Sequence, residues 1–180
     1  MALAHYPVVN KNGELITSAV TNLDLHDISR AVKTYGVNTL YAVTPLEDQK
    51  KLVNRILLHW TKGAGAKYNP IRREALEKVC IKSSLDEAIK HIYEKCEIPP
   101  KLVVTSAMSN NNSLSISEFR NILKTGNPYL LIFGTAWGLS KKIIKEADYI
   151  LEPINGNTDY NHLSVRSAVA IILDRLVIGL

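Results

Sequence analysis

The chain has 180 residues, of which 46% are hydrophobic and 22% charged, with nine Gly and seven Pro. These values predict a single globular domain over residues 1–180 and exclude a disordered or fibrous chain. No apolar run reaches the roughly 18 residues that span a bilayer, and residues 1–12 lack the order of a signal peptide, so we expect a cytoplasmic protein without membrane contact.

Charge and cysteine content add two weaker expectations. The formal net charge of +5 favours a polyanionic partner, although a solvated basic surface would give the same value. The two cysteines, Cys80 and Cys96, lie too far apart for a metal-binding motif. We therefore expect buried or idle thiols and no metal site.

Short apolar segments alternate with amphipathic segments, which is typical of an α/β domain with a mainly parallel sheet flanked by helices. The predicted strands are residues 4–9, 39–43, 79–82, 101–105, 129–133 and 149–151. The predicted helices are residues 23–35, 45–60, 85–96, 116–124 and 161–176. Three helix starts carry a hydroxyl followed three residues later by Glu, the pattern of a capping box: Thr44, Ser84 and Ser115.

Three loops follow the carboxyl ends of predicted strands, where ligands bind in open α/β sheets. They are residues 106–112, 134–138 and 152–160. They lack the GxxxxGK(S/T) and GxGxxG motifs, and the second has no basic residue, so a triphosphate or dinucleotide is poorly supported.

A neutral nucleoside fits these loops better. Its base would be enclosed by apolar side chains, with candidates Leu139, Leu151, Ile154 and Leu163. The alternative is that Gly134 and Gly138 form a tight turn and that the apolar residues belong to the core.

Three segments, in this order, resemble the motifs of the SpoU–TrmD (SPOUT) superfamily of RNA methyltransferases. NLDLHDISRAVKTYG (22–36) is similar to the opening motif of the ribose methylases at Asn22, Arg30, Ala31 and Tyr35-Gly36. LLIFGTAWGLS (130–140) resembles their apolar strand and FG turn. LEPINGNTDYNHLSVRSAVAIILDRL (151–176) resembles their small-residue loop and final helix.

The resemblance implies a C-terminal deep trefoil knot, a homodimer, and S-adenosylmethionine bound among the three loops. The cofactor contacts that it implies are Thr105, Ser106, Phe133, Gly134, Gly138, Leu151, Ile154, Gly156, Asn161, Leu163 and Ser164. From the residues alone, Asn155-Gly156 also fits a tight turn, and Asn161 and Ser164 also fit caps of the last helix.

The same resemblance makes Arg30 the leading catalytic candidate, because an Arg in the first motif of the ribose methylases assists activation of the 2′-hydroxyl. A guanidinium is a poor base, so we expect it to orient a phosphate and stabilise alkoxide charge. Asn22 belongs to the same motif. In base-methylating relatives an Asp near the third motif deprotonates guanine, which makes Asp159 a positional candidate. The alternatives are an exposed helix position for Arg30 and an ordinary loop acid for Asp159.

Residues 60–74 interleave Trp60 and Tyr68 with basic residues around a flexible Gly-Ala-Gly, which suits phosphate contacts and base stacking. The predicted RNA-binding residues are Lys62, Lys67, Arg72, Arg73 and Arg166. The alternative is a mobile loop followed by a helix with a basic first turn. His162, one turn from Arg166 in the predicted last helix, is a secondary candidate.

These observations predict a methyltransferase that uses S-adenosylmethionine to modify tRNA or rRNA, at a ribose 2′-hydroxyl or on a base. Methyl transfer from a sulfonium needs no metal, in agreement with the cysteine spacing. The alternative is a catalytically idle module that binds S-adenosylmethionine or RNA.

Overall fold

The computed structural model describes residues 1–108 and 112–178. Its strands are β1 (Ala2–Ala4), β2 (Val8–Val9), β3 (Leu15–Ile16), β4 (Leu40–Val43), β5 (Val79–Lys82), β6 (Lys101–Thr105), β7 (Tyr129–Gly134) and β8 (Tyr149–Leu151). Its helices are α1 (Asn22–Thr34), α2 (Glu47–Thr61), α3 (Ala64–Tyr68), α4 (Pro70–Leu76), α5 (Leu85–Cys96), α6 (Ile116–Leu123), α7 (Lys141–Glu146) and α8 (Val165–Val177).

Six of the strands in the described ranges form one sheet in the order β5-β4-β1-β7-β6-β8, and every pairing in it is parallel. Strand β1 lies at its centre, where Leu3 pairs with Ala42 and Phe133. The short strands β2 and β3 form a separate antiparallel hairpin. The predicted α/β fold with a mainly parallel sheet is therefore confirmed.

Helices cover both faces of the sheet. Neighbouring side chains of a strand point to opposite faces, so each strand contributes to two separate cores. Leu3 and Phe133 belong to a core that also contains residues of α1, α6 and α8. Ala4 and Ile132 belong to a second core, with residues of α5 and α7. Each fully buried large apolar side chain contributes about 1.5–3 kcal/mol to stability.

Several predicted boundaries agree with the structure because their signals are local. Helix α5 begins after Ser84, whose hydroxyl accepts a hydrogen bond from the Glu87 amide. Helix α6 begins after Ser115, which forms a full capping box with Glu118. Both pairings lie within one helical turn, the range over which sequence dictates structure most directly.

Three predicted boundaries were wrong, and a helix was missed. The strand predicted over residues 4–9 is broken into β1 and β2, and Pro7 between them has no amide to donate to a strand neighbour. Thr44 does not cap a helix: α2 begins at Glu47, and the buried Thr44 hydroxyl accepts from the Leu46 amide at 3.4 Å. The last helix begins at residue 165 rather than 161, because Ser164 is its N-cap. Helix α7 was not predicted.

Candidate functional site

A cavity of about 630 Å³ lies at the carboxyl ends of β1, β6, β7 and β8. The loops after β6, β7 and β8 line it, together with the first turns of α1 and α8. This is the edge at which ligands bind in open α/β sheets, and the volume suits a molecule the size of a nucleoside derivative. Of the first predicted loop, residues 109–111 lie outside the described part of the chain.

The loop after β7 is held tightly against the β2 strand. The Trp137 amide donates to the Val9 carbonyl at 3.1 Å, and the Val9 amide donates to the Gly138 carbonyl at 3.0 Å. A Cβ added to Gly134 would lie 2.7 Å from the Leu139 amide nitrogen, so only glycine allows this close approach. The glycines of the second motif therefore shape the loop, and the same loop lines the cavity.

The first and third loops are also connected. The Asn161 side-chain amide donates to the Ala107 carbonyl at 3.1 Å. Glu152 accepts from the Ile116 amide at 3.1 Å, which joins the third loop to the start of α6. These contacts bring three stretches of chain into one wall.

Nine of the eleven predicted cofactor residues line the cavity: Thr105, Ser106, Phe133, Gly134, Gly138, Ile154, Asn161, Leu163 and Ser164. Leu151 lies elsewhere, fully buried in the core beneath α8, because its side chain points to the interior face of β8. Gly156 is not among the lining residues described, and a Cβ there would meet nothing within 4 Å. Leu139, proposed to enclose a base, does line the cavity.

The three predicted catalytic residues lie outside the cavity lining in the described part of the chain. Arg30 sits on the exposed side of α1, where its guanidinium approaches Asp27 at 3.9 Å and its side chain is 61% exposed. Asn22 and Asp159 are exposed as well. In this structure of one chain, Arg30 therefore occupies the exposed helix position considered as the alternative.

Asp24 is a cavity residue that the sequence reasoning missed. It lies in the first turn of α1, is only 6% exposed, and lines the cavity. Its Oδ1 accepts a hydrogen bond from Nη1 of Arg166 at 2.8 Å. Arg166, predicted to bind RNA, also approaches Asp27 at 3.4 Å and is therefore engaged within the protein. His162 lines the cavity but precedes α8. Contrary to the prediction, it does not lie one helical turn from Arg166.

A chain of side-chain hydrogen bonds connects a buried histidine to the cavity wall. The Thr135 hydroxyl donates to the Ala4 carbonyl at 3.0 Å and also contacts the Ser18 hydroxyl. The Ser18 hydroxyl in turn lies 3.1 Å from Nδ1 of His5, so the three side chains form one hydrogen-bonded chain. Burial lowers the pKa of His5 to about 4, so the imidazole is neutral near pH 7.

The basic segment 60–74 is mostly helical rather than flexible. Gly65 is buried in α3, and a Cβ there would lie 2.7 Å from the Trp60 ring. The Arg72 guanidinium lies over the Trp60 ring, 5.0 Å from its centroid, and the ring of His26 meets Trp60 edge-on at 5.2 Å. Burial and the Arg72 charge lower the pKa of His26. Trp60 is therefore occupied by protein contacts.

Other residues of this segment remain accessible. Tyr68 is 87% exposed, and Lys62 and Lys67 are exposed beside it in sequence. Arg73 is exposed and approaches Glu77 at 3.4 Å. We refer to Lys62, Lys67 and Tyr68 as the basic face.

Cys80 and Cys96 are both free thiols. Over residues 1–108 and 112–178, no group of three or more His, Cys, Asp or Glu side chains is arranged to hold a metal ion. Within the same residues, no helix is long and apolar enough to cross a membrane.

The fold and the cavity together define an α/β protein with a nucleoside-sized site at the carboxyl edge of a parallel sheet. Residues 1–178 match the sequence profile of a family described as SAM-dependent RNA methyltransferase. The chain belongs to this family. It is accordingly a SAM-dependent RNA methyltransferase with S-adenosylmethionine as its cofactor, as the sequence predicted.

Two relatives show how far the match extends. An uncharacterized protein of Aquifex aeolicus is 42% identical over 98% of this chain and 86% of its own length. A tRNA (guanine-N(1)-)-methyltransferase of Oleidesulfovibrio alaskensis is 43% identical over 98% of this chain, but over only 41% of its own length. The chain spans about two fifths of that enzyme, so its named activity belongs to a longer protein.

The fold is similar to that of the SpoU methyltransferase AviRb from Streptomyces viridochromogenes, solved in complex with the cofactor AdoMet. The TM-score is 0.58 at 17% identity, covering 98% of this chain and 56% of that one. This likeness shows a shared fold, while the predicted family of S-adenosylmethionine-dependent RNA methyltransferases is confirmed by the sequence profile over residues 1–178.

Proposed function

We propose that the cavity at the carboxyl edge of the sheet is the S-adenosylmethionine site and that the enzyme methylates tRNA or rRNA. One observation carries the cofactor assignment: among the described residues, no Lys or Arg lines the cavity, whereas two carboxylates do, Asp24 and Glu152. A phosphate-bearing cofactor would find no cation there, while a cofactor with a positively charged sulfur fits this lining.

The loops supply the other contacts in this proposal. Leu139, Ile154 and Leu163 enclose the adenine, and backbone groups of the loop after β7 read its edge. Thr105 and Ser106 bound the cavity from β6, while Asn161 and the α8 cap bound it from the third loop. When bound, the cofactor supplies an activated methyl group on a sulfonium. The chain's own residues align the nucleophile with it and exclude water.

The basic face is the proposed RNA-binding surface. Exposed Lys62 and Lys67 suit phosphate contacts, and the exposed ring of Tyr68 suits stacking on a base. Arg72 would contribute through its charge, since Trp60 already covers its guanidinium. Asn22, the first residue of α1, and Arg30, about two turns further along the helix, are both exposed and are proposed to meet the substrate.

We propose a ribose 2′-hydroxyl as the methyl acceptor, because residues 22–36 resemble the first motif of the ribose methylases. A base nitrogen is the alternative, with Asp159 as the candidate proton acceptor. Mass spectrometry of nucleosides from tRNA and rRNA of a deletion strain tests both. Loss of a 2′-O-methylated nucleoside, restored by the wild-type gene, supports the proposal. Loss of a base-methylated nucleoside would favour the alternative, and an unchanged nucleoside profile would contradict both.

The homodimer is proposed from the rim of the cavity, where three large apolar side chains are exposed: Met108, Trp137 and Leu163. A second copy of the chain would cover them. Sedimentation velocity should give a dimer for the wild type and a monomer for Trp137→Glu. A monomeric wild type would contradict the proposal.

Three further proposals follow, the first two from composition and the third from the resemblance. The chain forms one domain over residues 1–180, acts in the cytoplasm, and threads its C-terminal part as a deep trefoil knot. The support for the knot is the resemblance of the three segments to the superfamily motifs. Mechanical stretching tests it, since a knotted chain reaches a shorter contour length than the same number of free residues.

A further inference from the structure

One wall of the cavity, formed by Ser18, Asp24 and Thr135, presents oxygen atoms and negative charge. We propose that Asp24 on this wall binds the sulfonium charge of S-adenosylmethionine and so distinguishes the cofactor from its neutral thioether product. This inference rests on the proposed function, because it requires the cofactor to occupy the cavity.

The Asp24 carboxylate is held in place but only partly used. Its Oδ1 accepts from Arg166 at 2.8 Å, whereas its Oδ2 accepts no hydrogen bond from the protein within residues 1–108 and 112–178. The residue is 6% exposed, so little water screens this charge. Such a carboxylate interacts favourably with a cationic ligand, because one of its oxygens is free to accept and little water surrounds it.

Arg166 offsets only part of the charge of Asp24 at the cavity surface. It does not appear among the described lining residues, and its Nε also approaches Asp27 at 3.4 Å. Arg30 approaches Asp27 as well, but its exposed position means that solvent screens it. A ligand in the cavity therefore meets the Asp24 carboxylate without an adjacent lining cation.

The neighbouring hydroxyls have the same preference. Both hydroxyl protons are used within the protein, because Thr135 bonds the Ala4 carbonyl and Ser18, and Ser18 also bonds Nδ1 of His5. Both oxygens therefore offer lone pairs to a ligand. Methyl and methylene groups next to a sulfonium are polarised C–H donors that such oxygens accept. The wall is therefore complementary to a positively charged sulfur.

Glu152 is the other carboxylate of the lining and provides a matched control. It is exposed, and its Oε1 already accepts from the Ile116 amide. Its charge is better screened, so it should contribute less to charge selection than Asp24.

Charge selection at Asp24 would also favour release of the neutral product. In the transfer, the acceptor atom forms a bond to the methyl carbon as the bond between that carbon and sulfur breaks; the electron pair of the broken bond stays on sulfur, and the acceptor's proton leaves to a base or to water. The product S-adenosylhomocysteine keeps the amino-acid and adenosine groups but lacks the sulfonium charge. The ratio of its Kd to that of S-adenosylmethionine therefore isolates the interaction with that charge.

Isothermal titration with S-adenosylmethionine, S-adenosylhomocysteine and sinefungin tests the inference. In sinefungin an amine carries the charge near the sulfonium position. Asp24→Asn should weaken the two charged ligands about tenfold or more and the thioether less than about threefold. Glu152→Gln should leave the ratio of the Kd values within about twofold of wild type. An equal loss for all three ligands in Asp24→Asn, or a larger change of the ratio in Glu152→Gln, would overturn it.

Arg166→Met keeps the inference testable if Asp24→Asn does not fold by circular dichroism. Removing this cation should raise the preference for S-adenosylmethionine over the thioether about threefold or more, and an unchanged or reduced preference would contradict the inference. Failure of the wild type to bind either ligand would instead remove the proposed function as well. Unchanged S-adenosylmethionine affinity in Asp24→Asn would remove this inference alone.

Discussion

The cavity and the basic face are built from opposite chemistry. The cavity has small residues, hydroxyl oxygens and two carboxylates, and no Lys or Arg among its described lining residues. The basic face carries two exposed lysines and an exposed aromatic ring. The formal net charge of +5 is thus distributed so that cations lie outside the cavity.

This difference separates two binding tasks within one small domain. A polyanion is attracted by exposed lysines over a long range, and that attraction is sensitive to salt. A cofactor with a charged sulfur instead needs a fixed, enclosed wall. Substitutions in one region should therefore leave binding at the other intact, and the predictions below test that separation.

The largest effect is expected at Gly134. An alanine Cβ there would lie 2.7 Å and 2.9 Å from backbone atoms of Leu139 and Gly138, so the loop after β7 must move. Gly134→Ala should weaken S-adenosylmethionine binding about 100-fold or more by titration calorimetry, with RNA affinity unchanged. Gly156→Ala, where a Cβ meets nothing within 4 Å, is the control and should bind normally.

Next is the dependence of stability on pH through His5. Its pKa is lowered from 6.5 to about 4 in the folded protein, so the unfolded chain binds the proton first as the pH falls. The contribution of His5 to the free energy of unfolding is fully present above pH 6.5. It falls by about 3 kcal/mol at most as the pH decreases toward 4. Urea unfolding of wild type and His5→Asn across this range gives the difference. Parallel pH profiles would contradict a neutral, buried His5.

A smaller effect is expected at Tyr68 on the basic face. Its ring is 87% exposed, and stacking on a base is worth about 1–3 kcal/mol. Tyr68→Ala should weaken binding of bulk tRNA by that amount in filter binding, without changing S-adenosylmethionine affinity. Tyr93→Ala, an exposed tyrosine on α5, is the control. Equal losses in the two variants would contradict a specific role for Tyr68.

The smallest effect concerns the lysines. Affinity for tRNA falls as salt rises, and replacing Lys62 and Lys67 by Ala should make the slope of log affinity against log salt less steep by about 2. Replacing Lys90 and Lys142, exposed lysines on α5 and α7, removes the same charge and should change the slope less. If both pairs change it equally, binding follows net charge rather than the basic face.

Local signals in the sequence predicted most of the fold, and the resemblance to known motifs predicted nine of the residues that line the cavity. Strand β6 and helix α5 match because their periodicity and caps lie within a few residues. Thr44 was wrongly predicted to cap a helix, because its buried hydroxyl accepts from the amide of residue 46, which precedes the helix.

The missed cavity residues share a different cause. Ser18 contacts Thr135 across 117 positions in the chain, and Asp24 contacts Arg166 across 142. No window of sequence contains either pair, so propensity and spacing cannot reveal them. Only folding of the sheet brings them together.

The hairpin of β2 and β3 gives the enzyme a braced binding site. Its backbone bonds to Trp137 and Gly138 fix the loop after β7 independently of any ligand. A ligand entering the cavity therefore has little loop entropy to remove, which favours affinity through preorganisation. The amide protons of Val9 and Trp137 should accordingly exchange slowly with solvent even in the cofactor-free enzyme.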